Sequence, residues 1–226
     1  MAGVPSSDPW QLARLAMVAT QLRQRGIRDE RVLSAMERVP RHLFVPAEKL
    51  EHAYEDQPIV IEAEQTISQP YIVAAMLEAV DLHPQDIVLE VGTGSGYQTA
   101  LLAELAARIY SIERYSLLAN LAEQRLKNLG YNNIEVVVGD GTLGLPEFAP
   151  YDVIVVAAAA PRVPPALVQQ LREAGATGDG GRLIVPVGNP ENQQLQLVRR
   201  CQGELVTSFL DSCRFVPLIG EDGFHA

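Results

Sequence analysis

Residues 87–97, Ile-Val-Leu-Glu-Val-Gly-Thr-Gly-Ser-Gly-Tyr, set the tightest constraint on how this chain folds. The run Ile87–Val91 is apolar except for Glu90 and too short for a helix; Gly92, Gly94 and Gly96 then punctuate it before a stretch with helical spacing from about Tyr97 to Ala107. Strand, glycine turn and helix in that order open a parallel sheet, because a strand buried on both faces must continue through a crossover. The glycines let backbone approach a ligand with no side chain in the way. The helix start offers free N–H groups and the positive end of its dipole.

The same alternation continues downstream. Ile109–Ile112 reads as a strand, Leu117–Leu129 as a helix stopped by Gly130, and Ile134–Val138 and Val153–Ala157 as strands. Ala166–Leu171 lies in a helix, Leu183–Val187 is a strand, and 193–200 and 204–216 form a terminal strand pair. The expectation is a doubly wound α/β fold with a mainly parallel seven-stranded sheet covered on both faces. Upstream, residues 8–38 carry helical spacing broken at Gly26 and ended at Pro40. Residues 40–65, with Pro40, Pro46 and Pro58, read as connecting chain with a short extended piece, Ile59–Ile61. Ser68-Gln69-Pro70 reads as a helix start, with Ser68 as a capping-type residue, and the helix runs through Ile72, Val73, Met76, Leu77 and Val80.

Composition narrows the function. The chain has 226 residues, 18 Lys and Arg against 28 Asp and Glu, and a net charge of −10. That balance argues against nonspecific binding to nucleic acid or an anionic membrane. Residues 1–50 run the other way, at +3, which reads as the solvated faces of helices. Arg23, Arg25, Arg28 and Arg31 could instead offset the acidic surface near a bound acidic ligand. No apolar run approaches the roughly 18 residues that span a bilayer, and MAGVPSSDPW lacks the features of an export signal. Cys201 and Cys213 have no metal-ligand spacing and read as strand thiols of a reduced compartment; the four histidines form no cluster, so no metal is expected. The expectation is an acidic cytoplasmic monomer.

Glu113 stands about 20 residues beyond the first glycine, at the end of the next strand, where a carboxylate accepts both hydrogen bonds of a ribose diol. Three ligands share that requirement: a nicotinamide dinucleotide, a nucleoside triphosphate and S-adenosylmethionine. The loop is G-x-G-x-G rather than the dinucleotide G-x-G-x-x-G, and no G-x-x-x-x-G-K-[ST] occurs. A zwitterionic methionine moiety at the helix start, with its ribose on Glu113, fits best. Gly139-Asp140-Gly141 adds an acid suited to an adenine amino group.

EVGTGSGYQTALLAEL followed by IYSIER resembles the cofactor core of the protein-L-isoaspartate O-methyltransferases, and the resemblance spans nearly the whole chain. It includes Val39–Pro46, Ala53–Asp56, Gln65-Thr-Ile-Ser68, Leu129–Asn132, Ala158–Pro161, Gly181–Gly188 and Phe215–Leu218. Gln65–Ser68 and its proline-bearing surroundings single out this family among class I S-adenosylmethionine-dependent methyltransferases. The resemblance implies a Rossmann-like fold in one domain, residues 1–226. Residues 1–70 form a helical and loop extension that contributes to the substrate site, and 71–226 the cofactor core.

It further implies methyl transfer from S-adenosylmethionine, leaving S-adenosylhomocysteine, to the α-carboxylate of L-isoaspartyl residues in peptides and proteins. The ester collapses to a succinimide that partly hydrolyses to normal aspartate, so the outcome is repair. Ser68 matches the family's active-site serine, and Thr66, Ser68, Ala159, Ala160 and Pro161 fall around substrate. Gln65, Thr66, Ile67, Glu90, Gly92, Thr93, Gly94, Ser95, Gly96, Glu113, Arg114, Asp140 and Gly141 fall around cofactor. The chain departs from the family at Glu62-Ala-Glu64, where glycines are usual, at Leu145, where Trp is common, and in a longer turn at 174–179. The chemistry suits these residues. A carboxylate with a pKa of about 4 is ionised at neutral pH and needs no general base, so neutral donors such as Thr66 and Ser68 suffice to hold it. Two other readings share the fold: a methyltransferase for Asp in a dedicated partner peptide, and a non-catalytic binding adaptor.

Overall fold

The computed structural model describes residues 8–175 and 178–225. Residues 1–7, part of the stretch read for an export signal, and 176–177, inside the lengthened turn, lie outside it. Helix α1 (Pro9–Met17) starts where the Asp8 side chain accepts the Trp10 N–H at 3.1 Å, and continues through a wider π-helical turn, Val18–Arg23. The turn at Gly26, with φ +105°, ends it. Helix α2 (Glu30–Arg38) is capped by Asp29 and buries Val32, Leu33, Ala35 and Met36.

Two expectations for the next segment are corrected. Residues 40–65 are not simply connecting chain. They hold 3-10 turns at Arg41–Phe44 and Ala47–His52, and strand β1 (Ile59–Val60) pairs antiparallel with β2 (Thr66–Ile67). A two-residue strand carries no periodicity, so β2 leaves no trace in the sequence. Helix α3 (Pro70–Ala79) takes Gln69 as its N-cap, with no side-chain capping bond, so Ser68 is not the cap. Pro70 needs no hydrogen-bond acceptor at that position, which leaves the Ser68 side chain outside the helix.

The strands then follow in the expected order: β3 (Ile87–Val91), β4 (Arg108–Glu113), β5 (Ile134–Val138), β6 (Val153–Val156), β7 (Asp179–Gly188, starting before the expected Leu183), β8 (Gln193–Cys201) and β9 (Glu204–Cys213). They are interleaved with α4 (Tyr97–Leu105), α5 (Ser116–Asn128) and α6 (Pro165–Gln169). The seven-stranded sheet has the order β5-β4-β3-β6-β7-β8-β9. Strands β3 to β7 run parallel, and β8 and β9 are antiparallel. This is the Rossmann-like arrangement expected. Because β3 is flanked by β4 on one side and β6 on the other, the chain reverses its winding at β3. The glycine turn after it opens into the resulting crevice.

One face of the sheet packs on α1, α2, α3 and α4 through residues such as Leu33, Met36, Met76 and Leu101; the other packs Ile154, Leu167 and Leu183. Each fully buried Leu or Ile contributes about 1.5–3 kcal/mol. Strand β9 stops at Cys213, short of the expected 216, because Gln193 clamps Phe215 instead: Gln193 Oε1 accepts the Phe215 N–H at 2.7 Å. Val216–Leu218 then crosses to Ala159. Cys201 pairs with Glu204 and Cys213 with Gln193, at opposite ends of the hairpin, and both thiols are free. Among the described residues no helix is long and apolar enough to cross a membrane.

Candidate active site

The turn between β3 and α4 is built around glycines that no other residue replaces cheaply. Gly94 has φ +53°, and a Cβ there would meet nothing nearer than Ile61 Cδ1 at 3.9 Å, so its bare backbone leaves ligand space. Gly96 has φ +87° and sits against α5, where an added Cβ would press on Ala122 Cβ at 3.2 Å. The Gly94 N–H donates to Glu113 Oε2 at 3.0 Å, and the Tyr115 N–H to Glu113 Oε1 at 3.0 Å. Each carboxylate oxygen is thereby aimed and keeps lone pairs for a diol.

Above this turn a cavity encloses about 800 Å³ including its open mouth. Gln65, Thr66, Ile67 and Ser68 form one wall, Gly92–Ser95 the floor, and Glu113 and Arg114 the far side, with Gly141 and Val216–Ile219 completing it. Eleven residues expected at the site from sequence meet here: Gln65, Thr66, Ile67, Ser68, Gly92, Thr93, Gly94, Ser95, Glu113, Arg114 and Gly141. An aimed carboxylate, a helix N-terminus and a floor with bare backbone at Gly92 and Gly94 are what a nucleoside with a zwitterionic tail requires.

The remaining expected residues stand behind this wall. Glu90 is fully buried beneath the floor, accepting from Thr99 Oγ1 at 2.5 Å and Ser111 Oγ at 2.6 Å; burial pushes its carboxyl up to about 7. The Asp140 carboxylate accepts the Thr142 N–H at 2.9 Å and the Glu221 N–H at 2.8 Å, so it ties down the chain's last loop. The backbone of Ala159 is occupied by Val216 and Leu218, and that of Ala160 by Pro186 and Gly188. Ala159 thus fixes the Val216–Leu218 strip over the cavity and Ala160 joins the end of β7, and neither lines the cavity. Pro161 is exposed beside them.

Two features escaped the sequence reading. Arg41 is wholly buried: its Nε donates to Ala53 O and its Nη2 to Ser68 O, each at 2.9 Å, and its guanidinium lies 4.8 Å from the Tyr97 ring centroid. Burial lowers its pKa to about 10, which still leaves it cationic at neutral pH. The one sequence signal was an arginine between apolar residues and prolines in Val39–Pro46. The second is another cavity, on the outer side of Ser68, bounded by Arg25, Tyr71, Asp211, Cys213 and Arg214. Ser68 is the residue common to both. Of the four N-terminal arginines, Arg25 alone reaches this second cavity, where it stacks on Tyr71 and pairs with Asp56. Arg23 pairs with Glu30, and Arg31 with Asp29.

Comparison with known proteins places this geometry. The sequence pattern of the family described as protein-L-isoaspartate(D-aspartate) O-methyltransferase matches residues 13–223. A protein-L-isoaspartate O-methyltransferase of Koribacter versatilis (strain Ellin345) is 56% identical over 224 residues, covering 99% of this chain and 98% of that one. One of Methanoculleus marisnigri (strain ATCC 35101 / DSM 1498 / JR1) is 52% identical, covering 97% of each. Among solved structures, a protein-L-isoaspartate O-methyltransferase superposes with a TM-score of 0.82 at 31% identity, over 93% of this chain and 67% of that one. A Plasmodium falciparum candidate for the same activity, in complex with S-adenosyl-L-homocysteine, superposes with a TM-score of 0.78 at 26% identity, over 91% of this chain and 98% of that one. With a match that runs from α1 into the last loop and includes both walls of the cavity, the chain belongs to the protein-L-isoaspartate(D-aspartate) O-methyltransferase family.

Proposed function

We propose that this protein transfers a methyl group from S-adenosylmethionine to the free α-carboxylate of L-isoaspartyl residues in peptides and proteins, beginning repair through a succinimide. The observation that carries the reading is the place of Ser68. It stands between a cavity with the features of a nucleoside site and a second cavity open at the surface. Bound S-adenosylmethionine supplies a methyl group on a sulfonium, whose sulfur keeps the electron pair of the breaking C–S bond. The chain's part is alignment and exclusion of water. Ser68 and Thr66 donate hydroxyl hydrogen bonds to the ionised carboxylate, which neither neutralise it nor need a base. No imidazole lines the cavity.

In this reading Glu113 holds the ribose, Gly92–Ser95 the methionyl end, and Gly141 and Arg114 flank the base, with Gln65–Ile67 closing over the top. Asp140 acts by fixing the last loop, and Ala159 by fixing Val216–Leu218 against substrate, with Ala160 and Pro161 beside it. Residues 1–70 and 71–226 work as one domain, since the first supplies the wall and the second the floor of one cavity. We place the enzyme in the cytoplasm as a monomer, acting on isoaspartyl proteins and not on nucleic acid.

The test is base-labile methyl incorporation into two matched peptides, one with L-isoaspartate and one with aspartate at the same position. Labelling of the isoaspartyl peptide alone is expected. Ser68→Ala should lower kcat/KM by about tenfold to a hundredfold while still binding S-adenosylhomocysteine. Labelling of neither peptide, with cofactor binding intact, moves the function to a dedicated partner peptide or to an adaptor.

A further inference from the structure

Beneath the cavity floor runs a line of hydroxyls that methyl transfer itself does not use. Glu90 on β3 is fully buried, and its register neighbour on β4 is Ser111, equally buried. Ser111 Oγ lies 2.6 Å from Glu90 Oε2 on one side and 2.6 Å from Thr93 Oγ1 on the other. Thr93 is 4% exposed and lines the cavity. The line therefore leads from a carboxyl group without access to water to the surface that receives the ligand.

A hydroxyl has one proton to give and two lone pairs to offer. While Glu90 is ionised, Ser111 donates to it, Thr93 donates to Ser111, and the Thr93 oxygen meets the cavity with lone pairs only. Oε2 also accepts from Thr99 Oγ1 at 2.5 Å; when protonated it keeps that bond and turns its proton to Ser111, which then has no acceptor on Glu90. Ser111 then donates to Thr93, and Thr93 turns its own proton into the cavity. One proton on Glu90 thus reverses the polarity of a group at the ligand's side.

We propose that Ser111 is a positioning residue that carries the charge state of Glu90 to Thr93, the ionised carboxylate setting Thr93 as an acceptor for the α-ammonium of the cofactor's methionyl end. The inference rests on reading the cavity as the S-adenosylmethionine site. Both states are populated near neutrality, because burial outweighs the donors and pushes the Glu90 carboxyl up to about 7. The other groups facing Glu90 are neutral on α4 (Gln98 and Thr99) and apolar on β6 (Val155). On β4, Ser111 is neutral and the charge of Glu113 raises Glu90 further. The ionisable groups of the cavity wall are Tyr97, Glu113, Arg114 and Tyr115, none of them a histidine.

The test is the calorimetric affinity for S-adenosylhomocysteine, which carries the same ammonium, between pH 5.5 and 7.5. The wild-type protein should bind about tenfold more weakly at the acid end. At pH 6.5 it should release protons on binding, seen as unequal heats in two buffers of different ionisation enthalpy. Ser111→Ala and Glu90→Gln should flatten the pH dependence, and Ser111→Thr, which keeps the hydroxyl, should restore it. Ser111→Ala with the full wild-type profile would overturn the relay and assign the effect to charge acting through space. A flat wild-type profile without proton release would overturn any role of Glu90. Absence of binding at every pH would overturn the cofactor reading itself. Should Ser111→Ala fail to fold, Thr93→Val removes the next hydroxyl in the line and is read in the same way.

Discussion

Arg41 is a cation with no access to water, held by the carbonyls of Ala53 and Ser68 and by the face of Tyr97 rather than by a carboxylate. Desolvating it costs several kcal/mol, offset by two charge-assisted hydrogen bonds of about 1.5–3 kcal/mol each. What this arrangement secures is position, since it holds the backbone of Ser68 relative to the turn at Ala53. Lysine offers one ammonium where two carbonyls need a fork. Arg41→Lys is therefore expected to destabilise the protein by about 2–4 kcal/mol, read by chemical denaturation. Its kcat/KM for an isoaspartyl peptide should fall about tenfold or more at a temperature where it stays folded. Residues proposed to act at the ligand were legible because their types state a need: bare backbone at Gly94, a diol acceptor at Glu113. Arg41 was not, because its partners lie 12 and 27 residues away and are backbone atoms, which no side-chain pattern announces.

The hairpin of β1 and β2 carries strain at a defined place. Ala63 and Glu64 have φ of 55° and 56°, in the left-handed region, where an L-residue costs about 1–2 kcal/mol. Ala63→Gly and Glu64→Gly should each raise stability by about 0.5–1 kcal/mol, seen as a higher denaturation midpoint. The same hairpin supports Gln65–Ile67 at the cavity wall, and we expect it to close on the cofactor. Amide exchange across 60–67 should slow when S-adenosylhomocysteine is added, and equal rates with and without it would count against closure. At this scale the sequence exposed long buried elements well and short or polar ones badly. The apolar runs of β3 and β6 and the spacing of α5 gave their places to within a residue or so. Strand β7 begins at Asp179, well before Leu183, because its pairing with β8 extends across a register shift through glycines that carry no apolar signal.

For the molecule as a whole, one buried carboxyl ties stability to pH. The Glu90 pKa is raised to about 7, above its ordinary value near 4.5, so between those values the folded protein holds a proton that the unfolded chain releases. Its contribution is full below the lower value and is lost as pH rises through the upper one. The free energy of unfolding should thus decline by about 1–3 kcal/mol from pH 5.5 to 8, and Glu90→Gln should remove most of that decline in the same titration. Exposed ion pairs such as Arg23–Glu30 contribute far less at any pH. The overall architecture was legible because alternating buried strands and helices leave few ways to pack. The second cavity was not, since it exists only where Arg25, Tyr71 and the end of β9 converge. Its relation to the first has a kinetic consequence. With Ser68 lining both, we expect the peptide to approach by the second cavity, so that neither reactant must leave before the other enters. Order of encounter is then set by concentration rather than by architecture: the enzyme can stand charged with its methyl donor until a rare lesion arrives, or hold the lesion while a spent donor is exchanged.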